Sequence, residues 1–193
     1  FLSPKVISLN PTVYSNDFTI GFNEFTDSFE SFYSYTPKMY LNTGRRVLSV
    51  DPSNTYDAYV HDEGNHGTFY GNVSNTEITL VVAPQGDFAK IFSNIEYNSE
   101  ISLNGVQQAP ETLTSLEVYN DYQTTGVIPL TVGANIKRRM RHWRHVIGRD
   151  TSSPNGNARI RDYSIFLKLS YANNNDKRLV LHDVIVAYTP ARD

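Results

Sequence analysis

Two alternating runs near the C-terminus constrain the fold more than anything else in this chain. Tyr163, Ile165, Leu167, Leu169 and Tyr171 recur at every second position. Val180, His182, Val184, Val186 and Tyr188 do the same after the polar run Asn173–Asp176. Successive side chains on a strand point to opposite faces, so a period of two builds a strand with one face inward and gives a helix no apolar side. The second run is apolar on its other face as well, through Leu179, Leu181, Ile185 and Ala187, which reads as a strand buried between layers. The expectation is an antiparallel hairpin of residues 163–171 and 178–188, turning through Asn173–Asp176.

The rest of the chain agrees with a mainly β fold. Thirteen Tyr and ten Phe accompany many Val, Ile and Thr, the residue types that suit a pleated, half-buried surface. Phe18–Phe22 reads as a strand. Met39–Leu41 and Arg46–Val50 can pair across Asn42-Thr43-Gly44, where Gly44 supplies a left-handed turn residue. Tyr56–His61, Glu77–Ala83, Thr112–Tyr119 and an edge piece at Val127–Val132, which holds Pro129, complete the set. Upstream, Pro4 and Pro11 bracket a short extended piece, Val6–Leu9. The fold class is therefore antiparallel sheets, as a β-sandwich or propeller-like blades, with few short helices. A helical turn is expected near Phe88–Asn94, because Phe88, Ile91, Phe92 and Ile95 fit one helical face. Ile136, Met140, Trp143 and Ile147 also fit a helical stripe. Flanking Gly133 and Gly148, and the crowding of arginines on one helix surface, favour strand there. Pro84-Gln85-Gly86-Asp87 is the best internal boundary, giving a β module at 1–86 and a second at 87–193.

Charge is unevenly spread. Between Asn135 and Arg161 the chain places eight of its 17 Lys and Arg (Lys137, Arg138, Arg139, Arg141, Arg144, Arg149, Arg159 and Arg161) but one of its 20 Asp and Glu, Asp150. A net charge of −3 hides a polarised molecule. Such a run fits phosphate binding, with Trp143 stacking on a base. It fits equally a subunit interface at which guanidinium forks engage a neighbour's carboxylates. A plain solvated face fits less well, since the cations repel one another unless something answers them.

Chemistry is otherwise sparse. Cysteine is absent, which excludes disulfides, Cys-bound zinc and thiol catalysis. His61, Asp62, Glu63 and His66 could hold a divalent ion, but the plainer reading is a solvated loop. Glu24, Asp27 and Glu30 could supply a carboxylate pair for glycoside hydrolysis, yet nothing fixes their separation. His142 and His145 flank Trp143 as packing or stacking residues rather than ligands. Asn72-Val73-Ser74 matches a glycosylation acceptor by chance alone. No catalytic residue, cofactor or metal is expected, and no run is long and apolar enough for a membrane helix.

Four stretches, FNEFTDSFESFYSYTPKMYLNT, YDAYVHDEGNHGTFYG, FAKIFSNIEYNSE and RRMRHWRHVIGRD…ARIRDYSIFLKLSYANNNDKRLVLHDVIVAY, resemble in order and character the C-terminal part of the stabilization or tail-nozzle proteins of crAss-like and other short-tailed phages, called muzzle proteins in that group. The resemblance spans residues 17–190. It implies a structural virion component without enzymatic activity, assembled in the bacterial host cytoplasm. Its partners would be copies of itself in a ring, usually sixfold, other tail proteins, the N-terminal part of the same polypeptide, and DNA in transit. The ring would help retain packaged DNA and form the ejection conduit. Phe1 would then be an internal residue of a longer polypeptide. On this reading Lys137, Arg138, Arg139, Arg141, Trp143, Arg144, Arg149, Arg159 and Arg161 face a neighbouring subunit or DNA. The alternative is a carbohydrate-binding β-sandwich of a receptor-binding protein, for which an exposed aromatic platform beside an acid would speak. A third possibility, a sugar-processing enzyme, would need a cleft with two convergent carboxylates.

Overall fold

A computed structural model describes residues 18–54, 56–152, 157–173 and 175–191, all antiparallel β and loop, with no helix among them. The Val6–Leu9 piece lies outside the described residues. The chain divides into two compact units, residues 1–63 and 64–193.

In the first unit, β1 (Thr19–Asn23) pairs with β2 (Ser28–Tyr33), with a bulge at Gly21/Phe22. A separate three-stranded sheet joins β3 (Met39–Asn42), β4 (Val47–Val50) and β5 (Ala58–Val60). The β3–β4 hairpin turns as expected through Gly44, whose φ of 80° only glycine adopts freely.

The second unit opens with a small hairpin, β6 (Thr68–Phe69) with β7 (Asn72–Val73). The remaining strands are β8 (Thr76–Val82), β9 (Lys90–Leu103), β10 (Val106–Gln107), β11 (Ser115–Tyr119), β12 (Ile128–Pro129), β13 (Lys137–Arg139), β14 (His142–Val146), β15 (Arg161–Asp162), β16 (Ile165–Tyr171) and β17 (Arg178–Pro190). They form two sheets. One has the order β12-β11-β16-β8; the other is built on β9, which takes β15, β14 and β10 along one edge and β17 along the other, with β13 beyond β14. Inward side chains of both sheets make one core: Phe92, Ile95, Tyr97 and Ile101 of β9 and Trp143 of β14 meet Leu116 and Val118 of β11 and Ile165, Leu167 and Leu169 of β16. This is the sandwich arrangement, in which two inner faces interdigitate. The division into units lies at Glu63/Gly64, and β8 of the 64–86 stretch pairs with β16 along seven residues.

Three expectations are corrected, each by a local device. The run 163–171 does not pair with 178–188. β16 is already flanked on both edges, by β11 and β8, so β17 must find its partner in the other sheet. The corner between them is tied by Asn173, 3% exposed, whose side chain accepts from Lys177 N–H and donates to Lys177 C=O. Gly67 backs this corner; a Cβ there would sit 2.9 Å from the Asn173 amide nitrogen, and its φ is +73°.

Residues 88–94 are not helical. Lys90–Leu103 is one strand, and its pairing with β17 skips Ser93 between Asn94 and Phe92. The skipped residue puts Phe92 and Ile95 on the same face three positions apart, which imitates a helical spacing. A second irregularity, between Leu181 and Asp183, flips the phase of β17. Leu179, Leu181, Val184, Val186 and Tyr188 therefore pack on the core, and Ile185, 52% exposed, points out. The strand has one buried face rather than two. Its far edge carries no partner strand among the described residues.

Lys90 is fully buried between sheet and loop. Its ammonium donates to Phe88 C=O at 2.9 Å and Tyr163 C=O at 3.2 Å, and lies over the Phe88 ring. Two carbonyls and a ring face replace the water the charge has lost.

Candidate functional site

The basic run folds as a hairpin. β13 and β14 pair Lys137 with Arg144, Arg138 with Trp143 and Arg139 with His142, so Met140 and Arg141 alone make the turn. Their φ values are 49° and 72°. A two-residue turn with both φ positive matches the right-handed twist of the strands and is normally built from Asn-Gly. Met and Arg there cost strain, roughly 1–2 kcal/mol per residue. The tip is open to solvent: Met140 is 83% exposed, and Arg139 and Arg141 are both exposed.

Alternation then sorts the side chains. Trp143, His145 and Ile147 point into the sandwich. Trp143 is 1% exposed and sits in the core, so it offers no face to a base or a partner. The sequence placed it among the contact residues; its alternation with exposed Arg144 is the signal that it is core. Arg138 covers its rim, with the guanidinium 5.6 Å from the indole centroid and a bond to Ala109 C=O at 2.9 Å. His145 is buried, with Nδ1 unpartnered, and burial holds its pKa below the usual imidazole value. A cation there would lose its hydration without gaining a partner.

The outward side chains are partly answered within the chain. Arg144 pairs with Glu96 of β9 at 3.0 Å, His142 Nε2 lies 3.3 Å from Asp183 of β17, and His182 lies 3.5 Å from Glu100. Arg149 donates to Asn157 C=O at 2.9 Å, and the backbones of Arg149 and Arg159 bridge. Arg161 pairs through its backbone with Ile91. The local excess of the sequence is thus smaller in space, because the sheet brings Glu96, Glu100 and Asp183 alongside. The side chains of Lys137, Arg139, Arg141 and Arg159 make no hydrogen bond or ion pair among the described residues. Three of these four belong to the hairpin.

The first unit carries a second surface, of a different kind. Phe25 and Tyr56 are each 96% exposed, Phe32 73% and Phe29 68%. Their rings meet edge-on, Phe22 with Phe29 at 5.0 Å and Phe18 with Phe32 at 5.5 Å. The sequence shows this aromatic cluster plainly but not that it faces water. Met39, Leu41 and Val47 of the neighbouring sheet are exposed too.

The other polar groups weighed from the sequence have these partners. His61 Nε2 bonds Ser49 Oγ at 2.6 Å, Glu63 pairs with Arg46 at 2.9 Å, and the His66 backbone N–H bonds Asp176. Among the described residues no group of three or more His, Asp or Glu converges as a metal site. Glu30 accepts from Asn23 at 2.6 Å on the exposed β1–β2 hairpin.

Residues 64–150 match the family model of the Crassvirus muzzle protein C-terminal domain. Over 129 residues, 65% of its length, the chain is 30% identical to the muzzle protein of Bacteroides phage crAss001. Over these spans the chain is similar to the muzzle family of crAss-like phages. This is the family that its four stretches resemble. The matched span runs from the β6–β7 hairpin through β14 and so includes the basic hairpin, Trp143 and His145. The match covers 9% of the length of the crAss001 muzzle protein.

Proposed function

We propose that this chain is part of a structural virion protein, a subunit of a tail ring, in which the tip of the β13–β14 hairpin docks on a neighbouring copy. The observation that carries the proposal is the charge left over after folding. Lys137, Arg139 and Arg141 make no ion pair among the described residues, on a hairpin whose turn is strained, while Glu96, Glu100 and Asp183 of the same sheet already face other partners. Similarity to muzzle proteins and the exposed aromatic surface of residues 18–63 support an assembly role. Contiguous apolar patches of this kind mark contact with another macromolecule.

On this reading the protein is not an enzyme, and its site is the virion. The ring, a hexamer, retains packaged DNA and forms part of the ejection conduit, in contact with other tail proteins and with the N-terminal part of its own polypeptide. A conduit must pass DNA without gripping it. Each added phosphate contact steepens binding, so a lumen lined by the whole basic set would hold DNA rather than release it. An interface has the opposite requirement, and a desolvated guanidinium–carboxylate pair meets it: truncating one partner costs roughly 2–5 kcal/mol. Arg138 and Arg144, already engaged within the chain, then steady the hairpin, Arg149 holds the segment that follows it, and a minority of the cations face the lumen.

The test is charge reversal at the tip, Arg139→Glu and Arg141→Glu, in the phage. Tails should fail to assemble while the isolated chain keeps its fold. Normal tails that leak DNA would replace the interface reading with a lumen reading.

A further inference from the structure

The outer face of the four-stranded sheet carries a feature apart from the basic hairpin. Tyr119 of β11 stands opposite Phe166 of β16, and the two rings stack in parallel, 5.2 Å between centroids at 18°. One side of the Tyr119 ring is thereby covered. Tyr119 also lines an open recess of about 460 Å³, walled by Glu117, Asp121, Tyr122, Gln123 and Lys168 as well.

The loop forming the far wall is tied down by hydrogen bonds. Asn120 Oδ1 accepts from the backbone N–H of Tyr122 at 2.9 Å and of Gln123 at 2.7 Å, and Asn120 N–H closes the turn on Gln123 C=O at 2.9 Å. The Gln123 side chain ties the loop to the next segment, accepting from Arg161 N–H at 2.8 Å and donating to Arg159 C=O at 3.3 Å. Asp150, buried, accepts from Thr124 N–H at 3.2 Å and from Ser152 Oγ at 2.7 Å, and these bonds hold its carboxyl below the usual range. On this fixed frame Tyr122 is 82% exposed. Three separate anchors preorganise the backbone that carries this ring, which lowers the ordering cost a ligand would meet.

We infer that this recess binds a neutral pyranose of a glycan, the sugar's C–H face against Tyr119 and Tyr122 and its hydroxyls donating to Glu117 and Asp121. The lining selects for that class. Anions are disfavoured, because Glu117 and Asp121 face the recess and Lys168 is committed to Glu77 at 3.0 Å. One Glu117 oxygen accepts from Thr124 Oγ1 at 3.2 Å, which orients the carboxylate and leaves its second oxygen for a ligand hydroxyl. A flat apolar ring beside convergent polar groups is how small polar ligands are held.

Saturation-transfer NMR on the intact chain, with a panel of methyl hexopyranosides and their disaccharides, tests this. At least one sugar should receive saturation through its ring C–H protons, and Tyr122→Ala should weaken its binding about tenfold. Tyr122 is a surface residue, so that variant folds, and Glu117→Gln, which preserves shape, should weaken binding as well. Silence across the panel would overturn the inference. So would binding that survives both substitutions, or tetramethylammonium displacing the sugar, which would mark an aromatic cage for cations.

Discussion

Residues 18–63 and residues 64–191 are both antiparallel β and both rich in aromatics, yet they dispose of those aromatics in opposite ways. The second unit buries Trp143, Tyr97 and Phe92 to 2% exposure or less within one two-sheet core. The first unit turns Phe25, Phe29 and Phe32 outward, and its buried residues among those described are Ser49, Val50 and Asp51. The first arrangement is how a domain stabilises itself. The second leaves apolar area unburied in the single chain, so its stabilisation must come from whatever covers it.

The contrast is sharpest where the expected effect is largest. Trp143→Ala should destabilise the sandwich by about 3–5 kcal/mol, since it removes buried ring atoms and leaves a cavity. Phe32→Ala in the first unit should change the stability of the isolated chain by no more than about 0.5 kcal/mol. Denaturant titration of both variants measures the difference, and equal losses would abolish the distinction between the units.

Next comes the turn. Replacing Met140-Arg141 by Asn-Gly should stabilise the sandwich by about 1 kcal/mol, because those residues accept positive φ. The same variant should assemble poorly, since the tip cation is gone. A gain in thermal midpoint without any loss of assembly would show that the strained turn serves no contact.

A pH series probes the sandwich core. The His145 pKa is lowered by burial, so the unfolded chain binds the proton more readily than the folded one and stability rises with pH. The contribution is fully present above about pH 6.5, the ordinary imidazole value, and is lost progressively as pH falls from there toward the depressed folded pKa. Thermal midpoints measured across that window should drop with acid, and His145→Gln should flatten the dependence. The smallest effect belongs to Arg144 and Glu96. Their side chains are 45% and 28% exposed, so a double-mutant cycle should give about 0.2–1 kcal/mol, fading with added salt.

The strands were legible in the sequence where alternation ran unbroken, as in 163–171, and so were the β-rich run Glu77–Ala83 and the β3–β4 hairpin with its Gly44 turn. What hid the rest was the insertion of single residues. Skipped Ser93 made β9 look helical at its start, and the irregularity at His182 made β17 look buried on both faces. A bulge changes the phase of a pattern without changing its composition, and only the partner strand reveals it. Pairing across sheets was hidden for a related reason: which edges are already occupied is a property of the whole sheet. At the candidate site, the exposed cations of β13 could be read from the sequence, whereas their partial neutralisation by Glu96, Glu100 and Asp183 could not. Those acids are distant along the chain and adjacent only after β9, β14 and β17 align. Lys90 gave no sign of burial, since a lone lysine in a strand normally snorkels outward.

The long strand β9 also dictates when this chain can finish folding. Lys90 pairs with Pro190, and Ser102 with Arg178, so an entire edge of β9 waits for the last strand to be made. Pairings between segments so far apart pay a large loop-closure entropy before they gain anything, and domains dominated by them fold slowly. During synthesis β9 leaves the ribosome well before β17, with one edge unpaired and its apolar face uncovered along that side. Nascent chains are therefore most vulnerable to mispairing with one another in this interval. A nonsense mutation just before Arg178 would fix every chain permanently in that state, and such truncated product should appear in inclusion bodies rather than as a soluble, smaller domain.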